Sequence, residues 1–229
     1  MSGLLALFFG AALGNVIRGV PIGPDNFFFL PLWTNWQVGA IPGILDWYTV
    51  MGGVVALLAL AIHGALYIAV KTNDDLHIRA IQIARRLWPV LALVTAVSLP
   101  ATMIIRPSTL ANYQHYPIAF LIPAIVVASL IGIFVFSRAA RAWQAFLSSC
   151  AYLAFLLVGA AVALYPTLLP SRTDPARDIT IQKALSGHYA LSVGLIWWSV
   201  GIAIAIGYFV FVYRMFAGKV SRTPGTYEH

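Results

Sequence analysis

Long apolar runs alternate with short polar segments along the whole chain. The main runs contain no Lys, Arg, Asp or Glu and cover residues 47–70, 87–105, 118–137, 142–171 and 184–213. An apolar helix needs about 20 residues to cross the hydrocarbon core of a bilayer. The pattern therefore predicts a multi-span membrane protein in which most polar side chains require a special explanation.

A shorter apolar stretch, residues 4–17, precedes these runs. Only Met-Ser-Gly comes before it, and the missing basic residues argue against a secretory signal peptide. It is interpreted as a helix whose beginning is missing. We predict an all-α polytopic transmembrane helix bundle with six spans, the first incomplete, forming a single membrane domain over 1–229. The predicted spans are about 3–20, 45–70, 87–105, 118–137, 142–165 and 189–213.

Composition supports a membrane protein and excludes several other classes. The chain is 61% hydrophobic and 9% charged, whereas soluble domains carry about 25% charged residues. Its one cysteine, Cys150, lies within a predicted span, so neither a disulfide framework nor a Cys-based metal site is expected. The net charge of +7 comes from basic residues that flank spans. We therefore expect membrane lipids, and no nucleic acid, as partners.

The distribution of basic residues predicts an orientation. Residues 71–86, read as a loop, the short loop 138–141 and the tail after Tyr213 are basic and lie on one side. The positive-inside rule makes that side, and both termini, cytoplasmic. The opposite segment 21–46 has no Lys or Arg and is rich in aromatics, which favour the outer interface. Segment 167–183 is a basic exception on that side.

Two features of the span ends can be predicted locally. Asp46 stands directly before the second span and is expected to cap it. Gly52, Gly53 and Gly194 permit close approach of helices, a structural role rather than a functional one.

Polar residues within the spans are the best candidates for function, because they are costly in lipid. Asn15 and Arg18 share one face of the first helix. Arg18 is either an anchor that extends to the outer interface or a buried residue. His115 and His188 are predicted at the outer surface, while His77 in the loop and His229 at the terminus suggest no site.

His63 lies deep within the second span, and its sequence position leaves three roles open. It can be a neutral histidine hydrogen-bonded to another helix, a proton relay or an axial haem ligand. Tyr67 and Lys71 follow on the same helical face. Together with Asn15 and Arg18, this stripe forms the predicted buried polar or proton-route set. No catalytic, cofactor-binding or metal-binding residue is assigned.

Several segments resemble subunit II of cytochrome bd-type quinol oxidases. Phe9–Pro21 is similar to its G-x-x-x-G-N-x-x-x-G-V-P segment, and His63–Ala80 to its next helix and loop. Tyr165–Ser171 matches its P-x-x-x-P-S turn, and Met215–Val220 its C-terminal end. Residues 43–72 resemble the cyanide-insensitive branch. The matches follow the family order along nearly the whole chain.

The resemblance implies a subunit of a quinol:oxygen oxidoreductase in the bacterial cytoplasmic (inner) membrane. Such an enzyme oxidises quinol and reduces O2 to water. Haem b, haem d and the quinol site are then expected in a partner, the haem-bearing subunit I, and this chain binds no cofactor directly.

Family members carry about three further spans before the Gly-Asn helix. The resemblance therefore implies an N-terminally truncated chain, and we expect this chain alone to be unstable in a membrane.

Two other classes stay open on the residues alone. A polytopic secondary transporter would show a midplane site with broken helices and internal repeats, and neither is evident in the sequence. A purely structural membrane subunit would differ from the oxidase subunit mainly in its partner.

Overall fold

Helices account for most of the computed structural model, which describes residues 2–25, 27–185, 187–216 and 218. Short 3-10 turns lie at Pro117–Phe120 and Pro175–Arg177, and two short strands, β1 (Thr167–Leu169) and β2 (Ile179–Thr180), pair antiparallel. The helices are α1 (Ser2–Arg18), α2 (Trp47–Lys71), α3 (Asp74–Ile105), α4 (Ser108–His115), α5 (Leu121–Arg138), α6 (Ala142–Leu164), α7 (Ile181–Ala184) and α8 (His188–Met215).

Among the described residues, five helices are long and apolar enough to cross a membrane. They are α2, α3, α5 with its preceding 3-10 turn, α6 and α8. The first helix, α1, is apolar but only 17 residues long. The predicted all-α polytopic bundle with a short first span is therefore confirmed.

The prediction of a basic loop over residues 71–86 is wrong. Only Thr72 and Asn73 separate α2 from α3, so Lys71 ends α2 and the arginines of this segment lie in the first half of α3. Asp74 and Asp75 lie in the first turn of α3, where the positive end of the helix dipole stabilises acidic side chains. Asp75 also pairs with Arg79 at 2.7 Å, one turn later. His77 is likewise helical, and its Nδ1 donates to the Ala69 carbonyl at 2.7 Å.

Asp46 caps α2 as predicted. Its carboxylate accepts from the backbone N–H groups of Tyr48 and Thr49, both at 2.9 Å, while the Asp46 N–H donates to Thr49 Oγ1. This reciprocal capping box satisfies three backbone N–H groups that would otherwise lack partners in lipid.

Glycines allow α1 and α2 to cross closely. A Cβ at Gly10 would lie 2.5 Å from Ala56 Cβ, and one at Gly53 would lie 2.7 Å from the Leu7 carbonyl oxygen. No larger residue fits either position without a backbone shift. The prediction is wrong for Gly194, since a Cβ there would meet nothing within 4 Å among the described residues.

The packed core lies where α2, α3, α5 and α6 meet. Its large, fully buried members include Ile62, Leu66, Leu91, Ile133 and Tyr152. The last helix differs, because none of the described residues of α8 is buried against the rest of the chain. In a membrane, α8 therefore meets lipid or another protein along most of its length.

The segments at the capped end of α2 are tied to one another. Val20 N donates to the Pro170 carbonyl at 3.0 Å. Arg172 donates to the Gly39 carbonyl at 3.2 Å, and Arg177 to the Ile22 carbonyl at 3.1 Å. The two arginines of the exceptional basic segment 167–183 therefore bind backbone oxygens of the neighbouring segment, while Lys183 donates to carbonyls within its own segment. The basic tail residues Lys219 and Arg222, and His229, lie outside the described residues.

Candidate functional site

Arg18 lies in a buried cluster at the junction of α1 and α2. The residue is 2% exposed. Its Nη1 donates to Asp46 Oδ2 and to the Gly43 carbonyl, the latter at 3.1 Å. Its Nη2 donates to Asn15 Oδ1 at 2.5 Å, and its Nε to the Gly19 carbonyl at 3.3 Å. The guanidinium therefore bridges the helix α1 and the segment that leads into α2.

Asn15 completes this cluster. Its Nδ2 donates to the carbonyls of Ala11 and Ile44, both at 2.9 Å. A buried ion pair is tolerated when its remaining donors and acceptors are satisfied, but removal of one partner leaves an uncompensated charge. The cluster of Asn15, Arg18 and Asp46 is thus suited to fixing two helices in position, and its hydrogen bonds are directed inward.

His63 lies at the contact between α2 and α6. Its Nδ1 is 2.9 Å from Ser149 Oγ, and the Ser149 hydroxyl donates to the Phe146 carbonyl at 2.7 Å. Because the serine proton is used in that bond, Ser149 Oγ is the acceptor and His63 Nδ1 carries a proton. The His63 ring also stacks on the Phe146 ring, with centroids 4.9 Å apart. This geometry favours a histidine hydrogen-bonded to a neighbouring helix.

Tyr67 and Lys71 continue along the same edge of α2 but have separate contacts. The Tyr67 ring lies 5.7 Å from that of Phe146, and Lys71 Nζ donates to the Phe216 carbonyl at 3.1 Å. Within the described part of the chain, no hydrogen bond links His63 to either residue. The stripe therefore lies along the edge of α2 that faces α6 and the end of α8.

The contacts of His63 involve one ring nitrogen and one ring face. A metal-ligating histidine binds through one nitrogen while its other N–H donates a hydrogen bond, so these contacts assign no haem role to His63. Here one face of the ring is covered by Phe146 and one ring nitrogen is engaged by Ser149. Among the described residues, no three His, Cys, Asp or Glu side chains gather as metal ligands.

Several buried polar contacts were not foreseen from the sequence. Asp46 was predicted only as a cap, although its second oxygen binds Arg18. Tyr152 and Thr95 lie 2.6 Å apart at their hydroxyls, between α6 and α3. Trp88 Nε1 donates to the Leu130 carbonyl at 2.8 Å. The available signal was the placement of hydroxyl and indole groups inside uncharged runs.

Comparison with known proteins identifies related sequences. The family model for cytochrome bd terminal oxidase subunit II matches residues 1–216. The chain is 27% identical to the probable cytochrome oxidase subunit 2 of Haemophilus influenzae and to the cytochrome bd-I ubiquinol oxidase subunit 2 of Escherichia coli K12. Each alignment covers 94% of this chain and 62% of the relative.

A third relative is the cytochrome bd ubiquinol oxidase subunit 2 of Bacillus subtilis, with 25% identity over 96% of this chain and 65% of the relative. The chain therefore spans less than two thirds of the length of these curated relatives.

Proposed function

Because the chain belongs to the cytochrome bd terminal oxidase subunit II family, we propose that it acts as subunit II of a respiratory quinol oxidase. In this role it supports an enzyme that oxidises quinol and reduces O2 to water. The observation that carries the proposal is the family match over residues 1–216, which includes every long apolar helix of the chain. No observation favours the transporter alternative.

The chemistry is proposed to reside in a haem-bearing subunit I. Relatives are named ubiquinol oxidase subunits, and the family resemblance implies that the haem-bearing subunit is a separate chain. Haem b and haem d would then belong to the partner, and quinol would be the substrate of the complex.

The described surface supports a partner within the membrane. The large side chains of α8 are exposed along the helix, with Trp197 at 72% and Trp198 at 63%. Helices in lipid associate through close packing rather than through exclusion of water. A helix with so little support from its own chain is therefore suited to packing against a second subunit.

The chain is a multi-pass membrane protein, and relatives from bacteria support placement in the inner membrane. We propose that the end of the bundle bearing Lys71, Arg85 and Arg141 faces the cytoplasm, together with both termini. The carbonyl contacts of Arg172 and Arg177 supply a structural reason for the basic residues on the opposite side.

We propose different roles for the polar residues of α1 and α2. Asn15 and Arg18 position α1 against the start of α2, whereas His63, Tyr67 and Lys71 hold the other end of α2 against its neighbours. A continuous proton route through this second set is not required by its contacts. The resemblance of residues 43–72 to the cyanide-insensitive branch makes cyanide-resistant oxygen uptake an expected property of the complex.

Affinity purification of the tagged chain from its native membrane tests the proposal. We expect a haem-bearing partner to co-purify and the reduced complex to show d-type absorbance, together with quinol-dependent oxygen uptake. An unrelated tagged polytopic protein serves as the control. Recovery of a stable chain without partner or haem, or substrate uptake by proteoliposomes of the chain alone, would contradict it.

A further inference from the structure

Three arginines gather where α5 ends and α6 begins. Arg138 is the last residue of α5, and Arg141 directly precedes α6. Arg85 of α3 reaches the same place, because its Nε and Nη2 both donate to the Ser137 carbonyl, at 3.1 and 2.5 Å. All three arginines are exposed, and none forms an ion pair with another described residue. This end of the bundle therefore carries positive charge that the described part of the chain does not neutralise.

The guanidinium of Arg138 has a defined place at this end. Its central carbon lies 4.2 Å from the centroid of the Phe134 ring. The Phe134 ring in turn contacts the Trp88 ring of α3, with centroids 4.5 Å apart, and Trp88 donates a hydrogen bond to the Leu130 carbonyl. An aromatic ring covers one face of a guanidinium and leaves the N–H groups at its edge free to donate. The edge of the Arg138 guanidinium is therefore available to an acceptor from outside the chain.

An exposed apolar stripe on α5 leads to this cation. Val127, Ile131 and Val135 follow one another at four-residue spacing, each about half exposed, and Arg138 continues the same helical face. The stripe from Val127 to Arg138 is about 17 Å long at 1.5 Å per residue, and one leaflet contributes about 15 Å to the hydrocarbon core. The membrane-spanning segment also ends at Arg138. The cation therefore stands at head-group level above an apolar stripe with the depth of one leaflet.

The charge and the apolar stripe together select the class of ligand. Arginine stays protonated in proteins, and the fork of its N–H groups matches the oxygens of a phosphate. Each cation near a membrane surface favours an anionic lipid by about fivefold. A soluble phosphate would match the arginines but would leave the stripe without contact. An amphiphile with an anionic head group matches both.

We propose that Arg85 and Arg138 bind the phosphate of an anionic phospholipid, whose acyl chain lies along the stripe from Val127 to Val135. The phosphate accepts charge-assisted hydrogen bonds from the free guanidinium N–H groups. Arg141, at the start of α6, adds to the positive potential at the head group. The site goes beyond the proposed oxidase function, because it needs only a membrane-embedded chain.

Photo-crosslinking in the purified native complex tests the site. The probe is a phosphatidylglycerol with a diazirine in its acyl chain, competed by unlabelled phosphatidylglycerol or by phosphatidylcholine with identical chains. We expect mass spectrometry to place the label on the peptide that contains residues 127–135 of α5. Phosphatidylglycerol should compete at least about fivefold better than phosphatidylcholine, because only its head group carries a net negative charge.

Variants identify the cations that hold the head group. Arg138→Gln should reduce the preference for phosphatidylglycerol about fivefold, and Arg138→Lys should retain most of it because the charge is kept. Arg85→Gln should also reduce the preference. The matched control is Arg79→Gln, which removes an exposed arginine of the same helix whose charge is paired with Asp75 at 2.7 Å, and it should leave the preference unchanged. Thermal stability of each complex shows that the variants fold.

Equal competition by the two lipids in the unmodified complex would overturn the proposal, as would labelling outside α5 or a folded Arg138→Gln complex with unchanged preference. Inorganic phosphate should not displace the probe, because it lacks an apolar chain; displacement as effective as that by phosphatidylglycerol would assign the arginines to a soluble anion. Labelling that appears only after a co-purified protein has been removed would also overturn it and would assign the arginines to that protein.

Discussion

Both ends of α2 carry polar side chains, but the two sets differ in burial and in the way their contacts are arranged. At the Asp46 end, the Arg18 guanidinium and the carboxylate are both buried and are surrounded by backbone carbonyls and N–H groups. At the Lys71 end, His63, Tyr67 and Lys71 are less buried. The rings of His63 and Tyr67 both contact Phe146, and Lys71 contacts the Phe216 carbonyl. A buried charge is retained where every partner is fixed, whereas the charge of Lys71 is retained at an exposed contact.

The contrast predicts the largest effect at the buried ion pair. Asp46→Ala should destabilise the complex by about 3–5 kcal/mol, because it leaves the Arg18 charge unpaired and also removes the α2 cap. Thermal unfolding in detergent measures the loss. Adding Arg18→Leu to Asp46→Ala should restore part of the stability. Asp75→Ala, which breaks an exposed pair, is the control; a similar loss there would remove the distinction.

The close crossing of α1 and α2 predicts the next largest effect. Gly10→Val should cost about 1–3 kcal/mol, because its side chain would overlap the α2 backbone. Gly64→Ala lies on the same helix pair with open space around it among the described residues. That control should be neutral or stabilising, and equal destabilisation of both variants would show that the crossing is not tight.

The all-α class and the long apolar helices could be predicted from the sequence, since uncharged runs of membrane length have few alternatives in lipid. The prediction missed the helical start of α3 because a hydropathy criterion treats charged residues as loop. The one-turn spacing of Asp75 and Arg79 was the available signal for helix. The Arg18–Asp46 pair could not be predicted, because its partners are brought together only by the path of segment 19–46. Asp46 as a cap needed only local spacing.

A smaller effect is expected at the His63 contact. Ser149→Ala removes the acceptor of His63 Nδ1 and should cost about 1 kcal/mol. Ser148→Ala, whose hydroxyl bonds to a carbonyl of its own helix, is the matched control. If Ser149→Ala instead abolished haem absorbance in the complex, His63 would have to be reconsidered as part of a cofactor site.

The smallest effect on stability is expected at Lys71. Lys71→Gln should change stability by no more than about 0.5 kcal/mol, because the side chain makes one exposed contact with the Phe216 carbonyl. Lys71→Arg keeps the charge and serves as the control. A large fall in quinol-dependent oxygen uptake for Lys71→Gln alone, at unchanged stability, would favour a proton route over a packing edge.

The length of α3 has a mechanical consequence. At 32 residues it is about 48 Å long, whereas the hydrocarbon core is about 30 Å thick. Even with moderate tilt, several turns of α3 must extend beyond the hydrocarbon core. The connection to α2 is only two residues, Thr72 and Asn73, and restricts movement between the two helices. A protein that binds this end of the bundle would therefore contact a regular helix bearing Arg79, Arg85 and Arg86, and not a flexible loop.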